Sequence, residues 1–283
     1  MVKVCMACLK KAALRHQPFV VASVVVGLLL AVLVFGLGLL SAAQSPFMID
    51  LDNLFAPPSF NHFLGTDELG RDVLARLWVG VKLSVYVGLV VALISGTIGI
   101  TVGLMSGYVG GWLDTVIMRI TDIFLAFPGI LLAIAFAALL GPGVENVIVA
   151  LSLMSWVGFA RLARAEALRL RHQPFVESAQ VSGATPGRII LRYVLPNAAA
   201  PLIVEAIFAT AGAMIAEAGL SFLGLGVQPP DPSLGAMLRE GARYMLVVPH
   251  LVLAPGLALM VLVLGLNVIG DKLRDKLDAR NLA

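Results

Sequence analysis

Four long stretches of this 283-residue chain contain no Asp, Glu, Lys or Arg, and that absence restricts what it can fold into. They are Gln17–Ile49, Leu83–Leu113, Ile123–Val144 and Tyr244–Gly270. Each exceeds the roughly 20 apolar residues that carry a helix across a ~30 Å hydrocarbon core. A shorter run, Asn146–Ala160, spans if flanking residues such as Val144 join it. A sixth candidate, Ala198–Phe222, contains Glu205 and Glu217. The expectation is an all-α membrane protein with six transmembrane helices, because helices satisfy their own backbone groups where water is absent. Charged residues make up 13% of the chain, about half the ~25% usual in soluble domains.

Lys and Arg set the expected orientation. With both termini inside, the inner segments hold Lys3, Lys10, Lys11, Arg15, Arg119, Arg161, Arg164, Arg169, Arg171, Arg188, Arg192, Lys272, Arg274, Lys276 and Arg280, which is 15 of the 20 basic residues. Arg71, Arg76, Lys82, Arg239 and Arg243 remain outside. The basic pI near 9.0 therefore reflects topology and not nucleic-acid binding. Ser41-Ala42-Ala43 resembles a cleavage site, but Pro18–Leu40 is longer than the ~7–15-residue core of a signal peptide, so the first run is expected to stay as a helix. Cys5 and Cys8 form a lone C-x-x-C with no second pair and no His at zinc spacing, and read as unremarkable thiols.

The expected organisation is an inner tail at 1–17, a first span at 18–40, an outer segment at 41–78, a five-helix core at 79–270 holding an inner loop at 161–198, and an inner tail at 271–283. Within the outer segment, Val73, Leu74 and Leu77 share one face of a short helix expected to lie against the membrane. Phe127-Pro128-Gly129 should kink or break the third span, because Pro removes a helical hydrogen bond. Gly96, Gly99, Gly103 and Gly107 form a small-residue face for close helix packing, within the bundle or against a partner. Leu223–Gly226 and Pro229-Pro230 should end the fifth span in an ordered turn.

The inner loop carries explicit helix punctuation. Pro174 opens a helix over about 175–182, Gly183 ends it in the left-handed region, and Thr185-Pro186 starts a second helix that Leu195-Pro196 closes. A helix–Gly–helix elbow of this kind is shaped to dock into another protein. Glu205 and Glu217 are candidate path residues, since a carboxylate at membrane depth needs water or a partner. Twelve residues apart, they sit about 120° from each other around a helix. No G-x4-G-K-[ST] loop, metal-ligand cluster or G-x-S-x-G elbow is present in the sequence, so neither a catalytic residue nor a metal ligand is expected.

Glu177, Ser178, Ala179, Gly183, Ala184, Leu195 and Pro196 resemble the EAA loop, E-A-A-x3-G-x9-I-x-L-P, of bacterial ABC importer permeases. Ser178 departs from the first Ala of that pattern and Tyr193 from the usual Ile. LGTDELGRDVLARL (64–77) is similar to a segment of the C-type permeases of dipeptide, oligopeptide and nickel importers. So are the stretches Ser106–Ala135, Ala216–Leu238 and Pro255–Arg280. The resemblance implies the type I importer permease fold, one N-terminal helix plus a five-helix core, in the bacterial inner membrane. It also implies that the Glu177–Pro196 loop couples the chain to two cytoplasmic ATPase subunits, which bind ATP and Mg, while this chain binds no cofactor. A second homologous permease would complete a heterodimer around a central path lined by residues such as Glu217, Glu205 and Pro128. An extracytoplasmic binding protein would deliver the solute. Di- or oligopeptides are the expected solute class, with nickel or a metal chelate as the alternative. An ATP-independent secondary transporter is the more distant reading, kept open by Glu205 and Glu217.

Overall fold

The computed structural model describes residues 45–281. The expected first span and the Cys5/Cys8 pair lie outside the described residues. A short 3-10 turn, Leu51–Asn53, precedes the first long helix. We number the α-helices α1 Val73–Val109, α2 Gly111–Leu125, α3 Gly129–Leu140, α4 Val144–Leu170, α5 Pro174–Val181, α6 Pro186–Ile189, α7 Leu195–Phe222, α8 Leu234–Ala242 and α9 His250–Asn281. A π-helical turn, Ile190–Val194, joins α6 to α7.

Four helical stretches are long and apolar enough to cross a membrane: α1, α4, Pro186–Phe222 and His250–Leu277. The α2–α3 pair makes a fifth if its two halves count as one span; they meet at 85°. Pro128 produces that break as expected. It takes an extended ψ of 116° and caps α3, whose Leu131 and Leu132 amides turn back to its carbonyl.

The expected interfacial helix does not form separately. Val73, Leu74 and Leu77 are buried in the first turns of α1, so the division between 78 and 79 falls inside a continuous helix. Asp72 starts it by accepting the Ala75 amide at 2.7 Å. No proline follows for 37 residues, and at 1.5 Å per residue α1 is about 55 Å long, well beyond the bilayer core. The charges near this end are paired with one another in a buried network. Asp67 accepts Arg71 Nε at 2.7 Å and Arg76 Nη1 at 2.8 Å, and Arg76 Nη2 reaches Glu240 at 2.9 Å. Arg76, only 2% exposed, thus ties the segment before α1 to α8.

Helix α4 likewise outruns the expected Asn146–Ala160 run by continuing to Leu170. Its arginines are satisfied sideways: Arg161 pairs with Asp122 at 2.5 Å, and Arg164 grips Asp114 with Nη2–Oδ2 at 2.7 Å. Those two pairs fasten α2 along α4. The fifth span ends at Phe222 and the ordered turn after it contains a cis Pro229-Pro230 bond, whereas the last helix starts at His250 and not at Tyr244.

The glycine face packs inside this subunit. A Cβ on Gly99 would sit 2.4 Å from the Trp156 carbonyl oxygen, on Gly103 2.2 Å from that of Ala160, and on Gly107 2.5 Å from that of Arg164. The backbones of α1 and α4 therefore touch along three turns, which side chains larger than hydrogen would prevent. Three buried apolar clusters fill the remaining space. One joins the start of α1 to α7, α8 and α9 through Val73, Leu77, Met214, Leu234 and Leu251. A second, around Val87, Val91, Val147 and Leu220, joins α1, α4 and α7. The third seats the elbow through Leu104, Ala163, Val176, Ile189 and Val194.

Candidate functional site

The sequence of the elbow dictates which side chains it shows. Pro174 sits in the first turn of α5, where its missing N–H is not needed. Val176 and Ala179 point inward and are buried, while Glu177, Ser178 and Gln180 are exposed and Val181 is 90% exposed. Gly183 takes φ +79°, the left-handed position that side chains resist. The Ala184 amide then closes back onto the Ala179 carbonyl at 3.0 Å. Thr185 adopts the extended N-cap conformation before Pro186, but its hydroxyl makes no capping bond. Gln180 Nε2 donates to Tyr108 Oη at 3.1 Å, tying the exposed helix to the end of α1.

Leu195-Pro196 does not close the second helix. The chain runs through them into α7, and Pro186–Phe222 forms one helical stretch. In a regular helix the Pro196 ring would collide with the Arg192 carbonyl and leave it without a donor. The π turn opens the ladder at this point, with the Leu195 amide bonding to the Ile190 carbonyl. Asn197 Nδ2 supplies a further donor to the Tyr193 carbonyl at 2.6 Å. The elbow therefore continues into a transmembrane helix without an intervening loop.

The other expected site residues do not converge. Glu217 is 1% exposed, inside the subunit and not on its surface. It accepts Ser84 Oγ at 2.9 Å and Ser221 Oγ at 2.8 Å, so it joins α1 to α7. Ser221 Oγ also accepts the Val227 amide at 3.3 Å, linking this carboxylate to the turn after α7. Glu205 lies against α4, where a Cβ on Gly158 would be 3.1 Å from its Oε1. It makes no ion pair with an elbow arginine among the described residues. Pro128 stands at the α2–α3 break, and no hydrogen bond joins these three residues. Sequence reasoning did not single out Val181, Gly187, Arg188 or Arg192; their exposure depends on which side of the elbow packs, and only the fold decides that.

Residues 99–282 match the family described as "binding-protein-dependent transport system inner membrane component". This chain belongs to that family. It is an ABC importer permease subunit, a multi-pass inner-membrane transport component. It is 49% identical over 231 residues to the "Glutathione transport system permease protein GsiD" of Shigella flexneri serotype 5b, covering 82% of this chain and 76% of the relative. The protein of the same name from Escherichia coli O157:H7 is 46% identical over the same coverage. Among solved structures, a chain of the MetNI methionine ABC transporter in an inward-facing conformation superposes with a TM-score of 0.56 at 22% identity, covering 70% of this chain and 96% of that one. That likeness shows the type I importer permease fold.

Proposed function

We propose that this permease forms half of the path of a binding-protein-dependent importer for small peptides. The elbow carries the reading: two short helices with a buried inner face, an exposed outer face and a Gly183 turn lead directly into a membrane-spanning helix. Such an element turns a push from outside the membrane into rotation of the helix. Two ATPase subunits, holding ATP and Mg, would grip the elbows of this chain and of a second homologous permease, with the termini on the same side. ATP-driven closure would rock the pair between inward-open and outward-open states while an external binding protein supplies solute. Glutathione, a tripeptide, is the first solute to test, because it is the one named for the relatives at 46–49% identity.

The test is uptake by proteoliposomes containing the complex co-purified with this chain. ATP-dependent accumulation of labelled glutathione or dipeptides, abolished by Gly183→Trp at unchanged protein level, is the expected outcome. Accumulation of nickel instead would replace the peptide assignment. Uptake driven by a proton gradient without ATP would overturn the importer mechanism.

A further inference from the structure

The exposed side of the elbow carries an open hollow of about 580 Å³, lined by Ser178, Ser182, Gly183, Arg188, Arg192 and Tyr193 among others. Arg188 and Arg192 are exposed and four positions apart, which brings them to adjacent turns of one helical side. Among the described residues neither makes an ion pair or hydrogen bond. Other arginines at this end of the bundle are engaged: Arg161 by Asp122, Arg164 by Asp114 and Arg169 by Glu166. The two in the hollow have been left without an acid in a region that supplies acids elsewhere. Between Arg171 and Pro196 the chain carries three Arg and a single Glu, so the elbow is basic by two charges.

The hydroxyls add to this. Ser182 Oγ is spent on the Ser178 carbonyl at 2.8 Å, whereas Ser178 Oγ bonds to nothing in the described chain. The hollow thus offers two planar guanidinium forks and a free hydroxyl, with no carboxylate on its wall. Forks of this type fit carboxylate or phosphate oxygens two at a time.

Gly187 indicates a second protein as the source. It is exposed, and a Cβ added to it meets nothing within 4 Å. It is the second residue of α6, and no contact within this subunit requires a glycine there. Close approach of a partner's backbone would. Val181 and Leu191, 90% and 67% exposed, lie on the same elbow as apolar contacts for that partner.

We propose that the hollow receives one or more carboxylate side chains projecting from the ATPase subunit, held by Arg188, Arg192 and the Ser178 hydroxyl. The elbow then both enters its partner and grips a projection from it. This rests on the reading of the elbow as the ATPase-coupling surface.

The experiment measures binding of the purified ATPase to the intact permease pair in phosphatidylcholine nanodiscs across a salt series. Arg188→Glu with Arg192→Glu should weaken binding by about tenfold or more and flatten its salt dependence. The Arg188→Lys, Arg192→Lys pair should retain part of the affinity at equal folded yield, separating charge from misfolding. An acid-to-Arg change in the ATPase that restores binding to Arg188→Glu would support the proposal directly. Unchanged affinity and salt slope in the Glu pair would overturn it. Val181→Asp, run in parallel, separates the two readings: if it alone displaces the ATPase, the elbow still docks and only the hollow is wrong. If neither displaces it, both readings fail. A defect seen only when phosphatidylglycerol is present would assign the hollow to lipid phosphate and overturn the carboxylate proposal.

Discussion

Ser84 on α1 donates its hydroxyl to Glu217 on α7 at 2.9 Å, across 133 positions of sequence. With Ser221 as its second donor, Glu217 bridges two helices that cross inside the subunit. A carboxylate in such a place is costly unless hydrogen-bonded, and here both oxygens are.

Replacing it separates hydrogen bonding from volume. Glu217→Gln keeps one acceptor oxygen and puts an NH2 donor in place of the other, which the second serine hydroxyl can accept by rotating, so detergent stability should fall only modestly. Glu217→Leu leaves two buried hydroxyls without their acceptor, at about 1–3 kcal/mol each, and should lower the thermal midpoint clearly. Equal midpoints for the two variants would show that the bridge contributes nothing.

Close backbone contact between α1 and α4 makes a second test. Gly103→Ala would place a Cβ 2.2 Å from the Ala160 carbonyl oxygen. Separating two packed helices typically costs about 1–3 kcal/mol. At Gly212, also within a helix, nothing lies within 4 Å of an added Cβ, so the same change should be neutral or stabilising. Monodispersity and thermal midpoint on purification compare the two directly.

The buried network around Arg76 has a pH signature. Burial pushes the Glu240 carboxyl above its usual value, against the opposing Arg71 charge. The folded state then holds this proton more tightly than the unfolded chain. Glu240's contribution to stability therefore rises as pH falls from neutral through its folded value toward 4.5 and is lost as pH climbs back through that value. Relative to Glu240→Gln, the wild type should gain stability on acidification over that interval. A constant difference between them would contradict the assignment. Arg76→Leu removes one of the two cations shared by Asp67 and Glu240 and leaves Arg71 at 2.7 Å and 3.6 Å from them, so it should destabilise by less than the about 3–5 kcal/mol of a fully unpaired buried charge.

The π turn offers a mechanical prediction. Deleting Leu191 removes the extra residue of Ile190–Val194 and should restore regular helix, rotating the elbow about 100° relative to α7. Membrane insertion and protein level should survive, while ATP-dependent uptake falls to background. Retained uptake would show that elbow orientation is not what couples.

The sequence alone determined that the chain is a helical membrane protein. Its charge-free runs are continuous and long enough to span as helices, unlike the short alternating segments of a barrel, and Pro174, Gly183, Pro186 and Pro128 act through local geometry that any tertiary setting preserves. The expected breaks at Pro128 and Gly183 accordingly appear where the residues stand. Only the tertiary structure decided the rest, because it depends on which side chains meet. Arg71 and Arg76 read in the sequence only as basic residues of the outer segment, and the fold pairs them with Asp67 and Glu240 in a buried network. Leu195-Pro196 looked like a stop until a π turn absorbed the proline. Glu217 reads in the sequence as a carboxylate at membrane depth, and only the fold shows Ser84 and Ser221 donating to it. Hydrogen-bond partners 133 residues away leave no trace in local pattern, and they determine whether a charge is a boundary, a bridge or an unfilled site.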